Sequence, residues 1–80
     1  MNKVEVRFFA SLRKYNPNAE DSDAVTVELE DKVKLGDLVN KFKIPRQEIG
    51  ILMVNGKWQK ETQPLQDRDR VGIFPLIGGG

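Results

Sequence analysis

An α+β fold, a mixed sheet of four to five strands crossed by one main helix, is predicted by three features of this 80-residue sequence. Apolar and polar residues alternate in KVEVRFF and again in AVTVELE, the two-residue period of a half-buried strand. A helical period replaces it at Leu35, Leu38, Val39 and Phe42, which form one apolar stripe. Asn55-Gly56 then stands between two short apolar runs, the strongest short-range signal for a hairpin. A chain of this length has room for one domain and buries only roughly 60% of the surface that its unfolded form exposes.

In the first strand Val4, Val6 and Phe8 share the core face while Glu5 and Arg7 point away. Phe9 must face opposite to Phe8, so it is expected either under the chain's own end or in an exposed apolar patch. Leu12 and Tyr15 are expected to pin a short helical turn to the core before the loop around Asn16-Pro17-Asn18. Val25, Val27 and Leu29 make the inner face of a second strand, antiparallel to the first. The helix stripe starts poorly, because Lys34 occupies the position where Ser, Thr or Asp would cap. Pro45 ends the helix or opens a further short turn. ILMV and KW flank the hairpin turn, and after a turn-rich stretch Val71 and Ile73 alternate with Gly72 in a last strand closed by Pro75. One apolar helix stripe covers one apolar sheet face in such an order. It is the order of the β-grasp (ubiquitin-like) architecture, with the last strand beside the first and the chain leaving from the middle of the sheet. Residues 1–75 are expected to form this domain, and residues 76–80 a flexible tail.

Composition narrows the chemistry. Thirteen basic and twelve acidic residues give a net charge of +1, which is no footprint for nucleic acid or a membrane surface. No window is apolar for the roughly 20 residues that span a bilayer, and MNKVEVRFF is no signal peptide. The sequence has no cysteine and no histidine, which removes the thiolate nucleophile, the thiolate metal site and the commonest general base. A cytoplasmic protein that is not an enzyme by itself, with no bound metal or cofactor, is the expectation. Asp67 and Asp69 could face a hard cation, but solvated acids in a tight turn, interleaved with Arg68 and Arg70, are the simpler reading. Lys41, Lys43 and Arg46 are explained by the helix dipole. Trp58 could equally anchor a partner or lie over the rim of the sheet.

The last stretch, IFPLIGGG, needs a separate account. Glycine loses the most freedom on ordering and packs no side chain, so Gly78, Gly79 and Gly80 contribute little to the fold. One reading is a frayed end, common at chain termini. In the other, the Gly80 carboxylate is activated as a mixed anhydride, for example by adenylation with ATP. It would thread into a narrow site on a partner where a side chain would clash. Leu76 and Ile77 would supply apolar grip just before the glycines.

VRFFASLRK at one end, PLQDRDRVGIFPLIGGG at the other and MVNG before the hairpin turn resemble the MoaD/ThiS family of small β-grasp sulfur carriers, most of all its molybdopterin synthase small-subunit branch. The resemblance implies that an ATP-dependent adenylating enzyme of the ubiquitin-activating type adenylates Gly80, and that a sulfur donor then leaves a C-terminal thiocarboxylate. ATP is used by that partner and not bound by the carrier. The acceptor would be the molybdopterin synthase large subunit, for the molybdenum or tungsten cofactor, or another sulfur acceptor enzyme such as that of thiamine thiazole synthesis. Gly80 would bear the reactive group, with Gly79 and Gly78 beside it. Phe9, Arg13, Phe74, Pro75, Leu76 and Ile77 would meet the partners, while core placement suffices for Phe8 and would also suit Phe74. Arg68 stands where the family often has Gly, Leu76 where a second Pro is frequent, which should loosen the tail, and Gly78 where a small side chain is usual. A ubiquitin-like modifier joined through Gly80 to a lysine amine, and an interaction module with an idle tail, are the alternative functions.

Overall fold

The computed structural model describes residues 1–76. Five strands form one mixed sheet: β1 (Asn2–Phe8), β2 (Ala24–Leu29), β3 (Ile49–Val54), β4 (Lys57–Trp58) and β5 (Arg70–Pro75), in the order β2-β1-β5-β3-β4. β1 runs antiparallel to β2 and parallel to β5, and β5 runs antiparallel to β3. The last strand is therefore central, as the hydrophobic pattern of β1 predicts. The helix α1 (Leu35–Lys41) lays Leu35, Leu38 and Val39, all fully buried, on the inner face of the sheet. Each such side chain contributes about 1.5–3 kcal/mol relative to exposure. Val4, Val6 and Phe8 from β1 and Val71 and Ile73 from β5 meet them, and Phe42 at the helix end packs edge-on against Phe8 with ring centroids 4.9 Å apart.

The weak helix start is repaired from elsewhere in the chain. Lys34 offers no acceptor, but the Leu35 N–H donates to the Gln63 carbonyl at 2.8 Å and the Gly36 N–H to the Glu61 carbonyl at 2.9 Å. Two of the amides that the first turn leaves unpaired are thus satisfied by a loop distant in sequence. Asp37 adds half of a capping box by accepting from the Lys34 N–H at 3.1 Å. Lys43, at φ +58°, ends the helix in the left-handed conformation before Pro45 is reached. Pro45 instead opens the 3-10 turn Arg46–Glu48. The hairpin turn has Asn55 at φ +53° and Gly56 at φ +83°, as a type I′ turn requires.

The turn before β5 corrects one expectation. Asp69 is not solvated: it is 9% exposed and accepts from Asn55 Nδ2 at 2.9 Å and from the Gln66 N–H at 2.7 Å. It fastens the turn to the hairpin, while Asp67 accepts from the Lys3 N–H at 2.7 Å. Between them Arg68 takes φ +69°, the left-handed region that a side chain disfavours by about 1–2 kcal/mol. Its guanidinium is 91% exposed, with one long ion pair to Asp67 at 3.9 Å, so little is lost with the side chain. Arg68→Gly should stabilise the fold by up to about 1 kcal/mol, after allowance for the looser unfolded chain. The check is a higher urea midpoint at unchanged m-value; an unmoved or lower midpoint would contradict it.

Candidate functional site

Two features of the sheet meet where the chain leaves β5. The first lies on the outer face. Phe9 and Phe74 stack there with centroids 4.1 Å apart and planes 6° from parallel. Phe74 is thus half-buried on the outer face and not a core residue. Phe9 is neither bare nor, among the described residues, under the chain's own end. The Phe9 N–H donates to the Ile73 carbonyl at 3.1 Å, which extends the β1–β5 pairing by one residue and fixes the ring above β5. Gly72 makes room beneath: a Cβ there would meet Phe74 Cε1 at 3.1 Å and Phe9 Cε2 at 3.3 Å. Both rings border a shallow depression of about 260 Å³ whose other walls include Glu5, Arg7, Met53 and Arg70.

The second feature is the exit itself. Pro75 is the last residue of β5, and Leu76 follows with 66% of its surface exposed. The Leu76 N–H donates to the Glu48 carbonyl at 3.0 Å, a bond that the Pro frequent in the resembled family lacks the N–H to make. Leu76 itself is thus held by a backbone hydrogen bond, while the rest of the tail expected to be loosened lies outside the described residues. The side chain of Glu48 is held in turn. The Tyr15 hydroxyl donates to Glu48 Oε2 at 2.7 Å, and Lys14 Nζ lies 3.3 Å from Oε1. The short 3-10 helix Ala10–Tyr15, predicted to be pinned by Leu12 and Tyr15, thereby reaches the exit across the fold.

This contact shifts both groups. The Tyr15 hydroxyl lowers the carboxyl pKa of Glu48 below its ordinary 4.5, with Lys14 adding to the effect against a smaller cost of burial. The Glu48 carboxylate raises Tyr15 above 10.0 through the same hydrogen bond. A depressed carboxyl contributes stability above its ordinary pKa and loses it as pH falls through the folded value. A raised phenol contributes below its ordinary pKa and loses it as pH rises through the folded value. Tyr15→Phe should therefore destabilise most between these limits, and the deficit should shrink in acid. Denaturant midpoints of both proteins from about pH 7 down to about pH 3 are the check, and a deficit independent of pH would contradict it.

The structure brings Phe9 and Phe74 together and sets Pro75 and Leu76 at one end of β5. Arg13 is not part of that arrangement: it is exposed and paired with Asp23 at 3.1 Å. Trp58 is 73% exposed on the two-residue edge strand β4, which excludes the rim-covering alternative. Ile77, Gly78, Gly79 and Gly80 lie outside the described residues. Glu48, Gly50 and Gly72 escaped the sequence reading. A glycine within the apolar run IGILMV was a usable signal, because an isolated glycine in a strand marks a bulge or a close approach of backbone. Among the described residues no group of three or more Asp, Glu, Cys or His side chains is placed to hold a metal ion. No helix among them is long and apolar enough to cross a membrane.

Comparison with known proteins agrees with this architecture. No curated protein sequence matches the chain. Among solved structures, the putative molybdopterin converting factor subunit 1 from Pyrococcus furiosus is 25% identical; the match covers 96% of this chain and 100% of that one, with a TM-score of 0.76. The small archaeal modifier protein 1 of H. volcanii is 16% identical over 96% of this chain and 100% of that one, also with a TM-score of 0.76. A chain in the complex of subunits 1 and 2 of the molybdopterin-converting factor from Helicobacter pylori is 19% identical over 98% of this chain and 99% of that one, with a TM-score of 0.62. The family model described as Mut7-C ubiquitin matches residues 1–78. Together with the β2-β1-β5-β3-β4 sheet and the helix α1 that crosses it, that match places the chain in the Mut7-C ubiquitin family, with the β-grasp fold that its sequence predicts.

Proposed function

We propose that this protein is a sulfur carrier whose reactive group is the carboxylate of Gly80, acting as a cosubstrate and not as an enzyme by itself. The observation that carries the reading is the similarity along almost the whole chain to the Pyrococcus furiosus subunit. The fold supports it, since the central strand β5 brings Leu76 to the surface and leaves residues 77–80 beyond it. A carboxylate oxygen attacks the α-phosphorus of ATP on an adenylating enzyme, pyrophosphate leaves, and an acyl-adenylate forms. A sulfide-equivalent donor then attacks the carbonyl carbon and AMP departs, leaving the thiocarboxylate. Transfer of the sulfur to an acceptor and addition of water restore the carboxylate. Glycine at the reacting positions lets backbone enter a site too narrow for a Cβ.

Molybdopterin synthesis is the pathway proposed, with the synthase large subunit as acceptor, and the ATP requirement puts the reaction in the cytoplasm. Residues 76–80 act as the tail and residues 1–75 as its carrier domain. Phe9, Phe74, Pro75 and Leu76 form the contact nearest the tail, continued by Ile77, and Arg13 a peripheral one. The test is intact mass. The protein, first confirmed to end at Gly80, is incubated with the adenylating enzyme of the same organism, ATP and a sulfur source. A gain equal to exchanging one oxygen for sulfur supports the carrier. A conjugate through a lysine amine would mark a protein modifier instead. No change with a demonstrably active enzyme would leave an interaction module with an idle tail.

A further inference from the structure

We propose that Gly50, together with the backbone carbonyl of Glu48, is the positioning element that sets the direction in which the C-terminal segment leaves the sheet. The inference rests on the carrier reading and adds to it residues outside the Phe9–Phe74 depression. Gly50 is exposed, so no packing demand from the core forbids a side chain. Its φ does not lie in the left-handed region either, unlike that of Gly56. What forbids a side chain is the outgoing chain. A Cβ on Gly50 would stand 2.6 Å from the Pro75 carbonyl oxygen and 3.0 Å from Leu76 Cα. These are backbone atoms, which cannot swing aside as a side chain can.

The β3–β5 register explains the crowding. Leu52, Met53 and Val54 pair with Ile73, Gly72 and Val71 in regular order, but the pairing shifts between Ile49 and Ile51, where Ile49 faces Pro75 and Ile51 faces Phe74. Gly50 is the extra residue of this bulge, and a bulge bends a strand and re-aims what lies beside it. Immediately before it, Glu48 accepts the Leu76 N–H, and the Glu48 side chain is itself clamped by Tyr15 and Lys14. The chain at Pro75–Leu76 is thus held against the start of β3 by close backbone contact at Gly50 and by a hydrogen bond at Glu48.

Direction matters because the carrier reading makes Gly80 the reacting end. Four residues follow Leu76 and span at most about 14 Å when extended. A domain docked on its partner can present Gly80 to a buried site only within that reach. A misplacement of about 1 Å at a reacting group costs on the order of a hundredfold in rate. A Cβ at Gly50 must push Pro75 and Leu76 away from β3, which moves and re-aims the point from which the last residues start. Gly50 does not line the Phe9–Phe74 depression, so a Cβ there leaves those two rings in place and its effect is expected in kcat.

The test uses the full-length protein in the adenylation and thiocarboxylation reaction, with steady-state kinetics in carrier concentration. G50A should lower kcat by about tenfold or more while KM stays within about twofold, the pattern of a lost transition-state placement. Leu76→Pro removes the N–H that Glu48 accepts without adding an atom to Gly50 and should lower kcat in the same direction, while Leu76→Ala, which keeps that N–H, should not. The pair keeps the proposal testable should G50A fold poorly. Val54→Ala, a cavity at the far end of β3, serves as the stability control: it should lose thermal stability yet keep kcat. Wild-type kcat in both G50A and L76P, or an equal loss in V54A, would overturn the positioning role. Failure of the wild-type chain itself, with an enzyme that modifies another carrier, would remove the carrier reading first and this inference with it.

Discussion

Phe8→Ala is expected to cost the fold about 3–5 kcal/mol, whereas Phe9→Ala, one residue along, should cost no more than about 1.5 kcal/mol. Phe8 is 1% exposed, stands in β1 between two partner strands, and packs edge-on against Phe42 from the helix end. Truncating a buried Phe costs about 3–5 kcal/mol, through lost burial and the cavity left behind. A domain of 80 residues has a total stability of roughly 4–12 kcal/mol, so this single loss takes from about a quarter to all of it. Phe9 lies half-buried on the opposite face and loses mainly its stack on Phe74, worth about 0.5–1.5 kcal/mol. Urea denaturation of the two variants, with near-ultraviolet circular dichroism for tertiary packing, decides the matter. Equal losses would mean that the outer-face stack belongs to the folding core after all.

That contrast was legible in the sequence, because adjacent strand residues must face opposite ways. So were the helix stripe at Leu35, Leu38 and Val39, the Asn55-Gly56 turn, and the central place of the last strand. Each rests on a local period or a local backbone requirement. What escaped depends on contacts between distant residues. The helix start looked poor at Lys34 because its acceptors are carbonyls of Glu61 and Gln63. Asp69 read as a solvated acid because its partner, Asn55 Nδ2, comes from the hairpin turn. The exit joint was invisible for the same reason. It joins Tyr15, Glu48, Gly50 and Leu76, and the bulge that brings Gly50 against Pro75 is a property of the β3–β5 register. Phe9 and Phe74 were picked out singly, but only the sheet pairs them over Gly72.

Deleting Gly79 and Gly80 is expected to abolish sulfur loading while leaving the domain as stable as before. Leu76 is the last residue held by a described hydrogen bond, and changes beyond such a point stay within about 0.5 kcal/mol. The thermal midpoint should therefore move by no more than about 4 °C. The truncated chain still ends in a glycine carboxylate, that of Gly78, so the intrinsic chemistry of the group is unchanged. What it loses is reach, about 7 Å of extended chain. Gly80→Ala is the complementary variant, since it keeps the reach and adds one methyl at the reacting residue. Loss of loading in the deletion alone would assign the tail's role to length. A fall of about a hundredfold in Gly80→Ala as well would show that the partner's site also demands a bare backbone. Loading that survives in both variants would show that neither the tail's length nor a bare terminal residue matters, and would end the special role given to Gly79 and Gly80.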